Sequence, residues 1–313
     1  MKTNIKRAVA YIDILGFKNI VSNDILSAFE QLHAVNSMLN NRFEDYIMYQ
    51  SQAPFTDPNM IDLQERMLFD SVSYFFPFSD SIFASSDNCD LFVLQLSNLI
   101  YELYKYSVNN KFKFPIFYKG GIGYGVACEQ SMKTIQKGVV SSVSNIVGQA
   151  VIDAVSLESY TYKDSSDQIR KLKGPRLLLK KELYDQLSKT KDYCIPVKES
   201  NGNVYEVLWP AYAYIKQAEL SQNIQEFYEH FYAMFNNAYC LWRKYKQKDE
   251  DNKRSGDNRI SLHYEEFIRL IISSTTTYFN RNFKLGNEVD FTITQYIHSI
   301  DDKDLERITE YLI

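Results

Sequence analysis

The stretch AVAYIDILGFKNIV, residues 8–21, joins a short apolar run to a polar end. Residues 8–13 are predicted to form a buried β-strand that ends on one carboxylate, Asp13, with Gly16 close behind it. An aspartate at the end of a strand often does no more than stabilise a turn. A metal-binding or catalytic role requires a second carboxylate at the same edge of the sheet, and Asp80 is the candidate.

Composition restricts the classes of protein to consider. Of the 313 residues, 45% are hydrophobic and 15% are aromatic, which is enough for a large core in one large or two modest domains. A formal net charge of -4 gives no general electrostatic basis for nucleic-acid binding. The four cysteines show no metal-ligand spacing, and no apolar run has the length of a membrane span. These features predict a cytoplasmic protein that binds neither nucleic acid nor a membrane.

The order of the predicted elements indicates an α+β domain. The first strand is followed by a helix from about residue 24 to residue 39, and then by a β-hairpin with a tight turn at Ser79 and Asp80. Asp87 or Asn88 is predicted to cap the next helix. Strands and helices that mingle in this way favour a mixed sheet with helices on one face.

Glycines at positions 120, 121, 123 and 125 interrupt the strand that follows. Glycine weakens a strand, and it usually marks a place where another group approaches the backbone closely. A helix over about residues 148–158 comes next, and further strands continue to about Trp209. Beyond this point the patterns are helical. We therefore predict a catalytic domain at residues 1–213 and a helical C-terminal region at residues 214–313.

Asp13 and Asp80 both lie at predicted strand ends. If the two strands are neighbours, both carboxylates project at the same edge of the sheet. Mg²⁺ takes hard oxygen ligands and usually only one or two protein carboxylates. Two such ions can act on the attacking and leaving oxygens of a phosphoryl transfer, and a turn through Gly16 can direct backbone N–H groups at a triphosphate. The pattern predicts metal-dependent phosphoryl-transfer chemistry.

Four segments, YIDILGFKNIV, FSDSIFASS, KGGIGYGVA and IVGQAVIDAVSLES, resemble in order and spacing the four sequence blocks of class III nucleotidyl cyclases. The resemblance implies a ferredoxin-like βαββαβ core with extra elements. It also implies a homodimer with the sites in its interface, and two Mn²⁺ or Mg²⁺ ions per site. By the same resemblance, Asp13, Asp80 and the carbonyl of Ile14 are the metal ligands. The phosphates would then be held by the turn through Leu15, Gly16 and Phe17.

The chain differs from the family at two groups of positions: the residues that contact the base, and the residues that stabilise the negative charge of the transition state. Purine cyclases contact the base through a lysine and a second residue, and these positions are Phe76 and Asn145 here. The family's catalytic asparagine and arginine fall on Ile152 and Ser156. Arg176, from another element, is the preferred replacement for the missing cation, because an arginine can contact phosphate through two nitrogens. Further candidates are Lys18, Lys119, Lys171 and Lys173.

Two readings of these departures compete. The chain is either an inactive cyclase fold that binds a nucleotide, or an enzyme with a changed substrate. Both metal aspartates are intact, which favours the enzyme, and an aromatic side chain at Phe76 favours a smaller base. Within the family, the residues of the four blocks most resemble those of the bacterial pyrimidine cyclases of Pycsar anti-phage systems. The resemblance then implies cyclic UMP or cyclic CMP made from UTP or CTP, with UTP preferred, and a separate effector that the product activates. A purine cyclase is a further alternative.

Overall fold

The computed structural model describes residues 5–37, 74–78, 80–136, 139–163, 166–211, 224–282, 286–300 and 302–305. The chain divides into two compact units that alternate along the sequence. The first unit comprises residues 1–160, 177–191 and 196–206, and the second comprises residues 161–176, 192–195 and 207–313. The functional division at residue 213 stays a prediction.

The secondary structure alternates between strands and helices before it becomes helical. In chain order the elements are β1 (Ile5–Ile14), α1 (Phe17–Asn23), α2 (described over residues 25–37), β2 (Tyr74–Phe78), β3 (Ser81–Ser86), α3 (Cys89–Asn109), β4 (Tyr118–Gln136), β5 (Val139–Gly148), α4 (Gln149–Glu158), β6 (Thr161–Lys163), β7 (Ile169–Lys171), β8 (Leu177–Lys180), α5 (Lys181–Tyr184), β9 (Cys194–Pro196), β10 (Val204–Val207), α6 (Ile224–Asp251), α7 (Ser261–Asn282) and α8 (Gly286–His298).

The sheet of the first unit has the ferredoxin-like strand order. Its strands run β2-β3-β1-β4-β8-β10, and β5 pairs with β4 beside this path. The first four strands are antiparallel to their neighbours, whereas β4 and β8 are parallel. The central strand β1 thus lies between β3 and β4, as a βαββαβ chain requires. The prediction of an α+β fold with a mixed sheet is confirmed.

One face of β1 and β4 is shaped for close contact with α4. A Cβ atom added to Gly121 would lie 2.3 Å from the carbonyl oxygen of Ala154, and one added to Gly123 would lie 2.1 Å from that of Ala150. The glycine cluster therefore marks a close backbone approach, as predicted. On the opposite face of the strands the side chains are apolar and almost wholly buried: Ala8, Ala10, Ile12, Ile82, Ala84 and Ile122.

A short helix that was not predicted precedes the predicted one. The structure places α1 directly after Gly16, and Asp24 separates it from α2. The Asp24 carboxylate accepts a hydrogen bond from the N–H of Ser27 at 3.1 Å, which is the geometry of an N-cap. The predicted start at residue 24 was therefore the start of the second helix. The predicted end at residue 39 lies outside the described residues.

The second unit contains α6, α7 and α8 and has a core rich in aromatic side chains. Phe231 and Phe235 on α6 and Phe267 on α7 are fully buried. The predicted helical character of the C-terminal region is confirmed over the described part. In the ranges that the structure describes, no helix combines the length and hydropathy needed to cross a membrane.

Candidate functional site

The pairing of β1 with β3 brings the two aspartates to one edge of the sheet. In the antiparallel register Asp13 lies opposite Ser81, the residue after Asp80. The backbone N–H of Ile14 donates a hydrogen bond to the carbonyl oxygen of Asp80 at 3.0 Å. The strands that carry the two aspartates are therefore neighbours, and a backbone hydrogen bond joins them. We call residues 13–17 with residues 80 and 81 the corner.

A fixed turn follows Asp13 at the same corner. The N–H of Leu15 donates to the carbonyl oxygen of Phe117 at 2.8 Å, and Gly16 has a φ of 78°. This left-handed conformation favours glycine because a side chain would be strained. Helix α1 begins immediately afterwards, and the first N–H groups of a helix have no acceptor within it. The side chain of Phe17 is 8% exposed, so this residue offers mainly its backbone to a ligand.

Asp13 is held by hydrogen bonds in a setting that disfavours its negative charge. The Ser81 hydroxyl donates to Asp13 Oδ1 at 2.8 Å, and the hydroxyl oxygens of Tyr11 and Ser81 are 3.0 Å apart. Burial and, to a smaller extent, the negative charge of Asp80 raise the pKa of Asp13 to about 6, against the opposing effect of the hydrogen bond from Ser81. A cation between the two carboxylates would stabilise the ionised form of Asp13.

The donor set fits a magnesium or manganese ion. Two carboxylates at one corner match the number that Mg²⁺ usually takes from a protein, with water and phosphate completing its coordination. Among the residues that the structure describes, no three or more His, Cys, Asp or Glu side chains form a group that could hold a metal ion. The corner therefore offers a hard-oxygen site of two carboxylates, in which water, or water and phosphate, completes the coordination of an ion.

The predicted base-selecting residues lie on two different strands. Phe76 pairs through its backbone with Phe83 in the β2–β3 hairpin, and its side chain lies outside what the structure describes. Asn145 lies on β5 opposite Gln130 and is exposed. Helix α4 begins only at Gln149, so Asn145 lies outside it. The strand continues to Gly148 because β5 pairs with β4 up to that residue. A role in base selection stays a prediction for both residues.

The proposed replacement cation, Arg176, belongs to the second unit. Its guanidinium forms an ion pair with Glu266 and donates to the carbonyl oxygen of Lys173 at 2.8 Å. Its side chain is 18% exposed, so a phosphate would have to compete with Glu266 for it. In the first unit, Lys119 forms an ion pair with Glu158 at the end of α4. Catalytic roles for these cations stay predictions.

Ser81, Tyr11 and Glu158 were missed as members of this corner by the sequence analysis. Ser81 directly follows Asp80, and Tyr11 precedes Asp13 by two residues. Side chains two apart on a strand point to the same face, so this alternation was an available signal for Tyr11. Glu158 is distant in sequence, and only the packing of α4 on β4 brings it to Lys119.

The raised pKa of Asp13 leads to a prediction about stability. Between about pH 4 and pH 6 the folded protein keeps a proton that the unfolded chain has already released, so the free energy of unfolding rises as the pH falls through this window. In EDTA at pH 7.5, Asp13→Asn is expected to stabilise the protein by roughly 1–2 kcal/mol, which allows for partial exposure. The gain should shrink toward pH 4. Thermal unfolding at pH 7.5 and pH 4 measures the difference in stability. An equal gain in the free energy of unfolding at both pH values would contradict a raised pKa of Asp13.

No protein-family model matches the chain, and no curated protein matches it significantly. Solved structures align with it at low identity. The adenylyl cyclase CyaB from P. aeruginosa aligns at 14% identity with a TM-score of 0.40, over 66% of this chain and 96% of that one. A bacterial light-regulated adenylyl cyclase aligns at 17% with a TM-score of 0.41, over 66% and 91%. The guanylyl cyclase Cya2 aligns at 10% with a TM-score of 0.39, over 66% and 94%. TM-scores below 0.5 do not establish function, which has to be argued from the site itself.

Proposed function

We propose that this protein is a nucleotidyl cyclase that converts a nucleoside triphosphate into its 3′,5′-cyclic monophosphate and pyrophosphate. One observation carries the proposal: Asp13 and Asp80 meet at one edge of the sheet, directly beside the left-handed turn at Gly16. The four sequence blocks that resemble class III cyclases support the same reaction. Two acidic residues beside a glycine turn that leads into a helix N-terminus suit a substrate that carries both metal ions and phosphates.

Each part of the corner has a role in this reaction. Asp13, Asp80 and the carbonyl of Ile14 would hold the two ions. Bound Mn²⁺ or Mg²⁺ supplies Lewis-acid stabilisation for the attacking 3′-oxygen and for the leaving pyrophosphate. The turn through Leu15, Gly16 and Phe17 would hold the phosphates through the N–H groups of Gly16 and Phe17, since that of Leu15 donates to the carbonyl oxygen of Phe117. The 3′-oxygen forms a bond to the α-phosphorus, the bond to pyrophosphate breaks, and the hydroxyl proton passes to solvent.

The preferred substrate is UTP, with CTP as the alternative. A phenylalanine at position 76 cannot make the hydrogen bond to a purine edge that a lysine would make there. An aromatic ring can stack on a base or narrow the pocket, and a narrower pocket would fit a smaller pyrimidine better. The resemblance to Pycsar cyclases supports a second messenger that activates a separate effector in anti-phage defence. Arg176 is proposed to stabilise the transition state after release from Glu266. A purine cyclase would keep the mechanism and change only the base.

The exposed side of α4 supports a homodimer with the sites at its interface. On this helix Ile152 is 63% exposed and Val155 is 39% exposed, and Val147, near the end of β5 just before the helix, is 63% exposed. Large apolar side chains grouped on one surface are typical of protein–protein contacts. We expect Ile152→Glu to convert a dimer into a monomer in light scattering. Ile169→Glu is the control, since Ile169 is 72% exposed on β7 in the second unit. A dimer that survives Ile152→Glu would contradict this interface.

The function is tested by incubating the protein with Mn²⁺ and each of ATP, GTP, CTP and UTP, and by separating the products by chromatography against cyclic standards. A cyclic pyrimidine nucleotide would support the whole proposal. A cyclic purine nucleotide would support the reaction and contradict the role of Phe76. If no triphosphate is converted but one binds saturably, and binding survives Asp80→Ala, the inactive nucleotide-binding fold is the better description.

A further inference from the structure

The hydroxyl groups beside Asp13 form a short chain with a defined direction. An ionised carboxylate only accepts hydrogen bonds, so the single proton of the Ser81 hydroxyl must lie between Ser81 Oγ and Asp13 Oδ1, 2.8 Å apart. Ser81 therefore has no proton left for Tyr11. In the 3.0 Å contact between the two hydroxyl oxygens, Tyr11 must be the donor. The chain runs from Tyr11 through Ser81 to Asp13.

Both hydroxyl groups are fixed by the fold rather than by solvent. Ser81 is 7% exposed, and it lies directly opposite Asp13 in the β1–β3 register. The ring of Tyr11 packs against the ring of Phe83, with 4.7 Å between their centroids. Tyr11 and Asp13 are two residues apart on β1, so their side chains share one face of the sheet. Among the described residues, the hydrogen bond from Ser81 occupies Oδ1 of Asp13 and leaves Oδ2 for another ligand.

We propose that Ser81 is a positioning residue that orients the Asp13 carboxylate for a divalent cation, and that Tyr11 holds the Ser81 hydroxyl in its donating orientation. The inference rests on the proposed function, because it takes Asp13 as a metal ligand. Partners that hydrogen-bond a ligating carboxylate set its orientation and typically change metal affinity by one or two orders of magnitude when removed. Neither residue touches the substrate in this proposal.

Ser85 provides a matched control on the same strand. Ser81 and Ser85 are four residues apart on β3, so they share one face of the sheet. Ser85 is fully buried, and its hydroxyl contacts Arg7 Nη1 at 3.5 Å. Ser85→Ala therefore removes a buried hydroxyl from the same strand without removing the contact to Asp13. Any general weakening of β3 would appear in both alanine variants, whereas a positioning effect would appear only in Ser81→Ala.

The test titrates the full-length protein with Mn²⁺ alone and follows free Mn²⁺ by electron paramagnetic resonance. Asp13→Ala is expected to abolish the site, and Ser81→Ala to weaken Mn²⁺ binding about tenfold. Ser81→Thr, which keeps the hydroxyl, and Ser85→Ala should bind like the wild type. Tyr11→Phe should weaken binding several-fold and less than Ser81→Ala, because the bond from Ser81 to Asp13 remains. Circular dichroism shows whether each variant folds. If Ser81→Ala does not fold, the comparison of Tyr11→Phe with the wild type tests the proposal.

The outcomes separate this inference from the function on which it rests. If Asp13→Ala loses Mn²⁺ binding while Ser81→Ala and Tyr11→Phe bind like the wild type, the positioning role is overturned and the metal site stands. If Ser81→Ala and Ser85→Ala weaken binding equally, the effect belongs to the strand and the positioning role is also overturned. If the wild type shows no Mn²⁺ binding that depends on Asp13, the proposed metal site fails and the positioning role fails with it.

Discussion

Replacing Asp80 with asparagine is expected to lower cyclase activity by about 10³-fold, which corresponds to a loss on the order of 4 kcal/mol of transition-state stabilisation. Asparagine has nearly the same size, but it carries no charge to hold a divalent ion. The hydrogen bond from the N–H of Ile14 to the carbonyl oxygen of residue 80 involves only backbone atoms, so it should survive the change. The loss would then report the missing carboxylate rather than a disrupted corner.

Three further variants show whether the loss is specific to the two proposed metal ligands. Asp13→Asn should reduce activity to a similar extent, and the double variant should be little worse than either single one, because residues that act as one unit have non-additive effects. Asp185→Asn is the control, since Asp185 is exposed and pairs with Lys181. Initial rates of cyclic nucleotide formation at saturating Mn²⁺ would decide the matter. An Asp80→Asn enzyme with near wild-type rates would remove Asp80 from the mechanism.

Gly123→Ala is expected to destabilise the protein by about 3 kcal/mol, near the upper end for added volume in a packed core. The new methyl group would lie 2.1 Å from the carbonyl oxygen of Ala150 and 2.9 Å from the N–H nitrogen of Ala154. Both atoms belong to the backbone of α4, so no rotation of a side chain can relieve the clash. The helix would have to move away from β4 as a whole.

Gly125→Ala is a closely matched control for this prediction. Gly125 lies two residues further along the same strand and on the same face. A Cβ atom there would meet its nearest neighbours at 3.7 Å and 3.9 Å, which are ordinary contact distances. Urea unfolding of the two variants should therefore give a large loss for Gly123→Ala and a change within about 1 kcal/mol for Gly125→Ala. Equal losses would show that the close approach of α4 does not determine the effect.

The close approach also connects stability to the proposed site. Glu158, in the last turn of α4, forms an ion pair with Lys119, which lies opposite Asp13 in the β1–β4 register. The exposed side of the same helix carries Ile152, which we propose as part of a dimer contact. A shift of α4 should therefore reduce activity and dimerisation together. Gly123→Ala offers a way to observe that coupling under conditions where the variant remains folded.

Several features of the fold were predictable because they depend on local sequence. Apolar residues ending at Asp13 indicated a strand, the break at Asp80 indicated a hairpin turn, and the glycines around position 121 indicated a close backbone approach. Each of these follows from periodicity or from the missing side chain of glycine. Helix α1 was not predicted, because its seven residues directly after the turn at Gly16 are too few to show a helical repeat of apolar positions.

The sequence by itself determined that two strands end at carboxylates and that a glycine turn follows the first of them, since strand length and turn chemistry are local properties. The pairing that makes the two strands neighbours depends on the tertiary structure. Only the tertiary structure decided which side chains surround them. The register of β1 against β3 places Ser81 opposite Asp13, and a shift of one residue would turn every side chain to the other face. The ion pair between Arg176 and Glu266 joins residues 90 positions apart. Such contacts depend on packing between distant segments, which no local pattern of residues encodes.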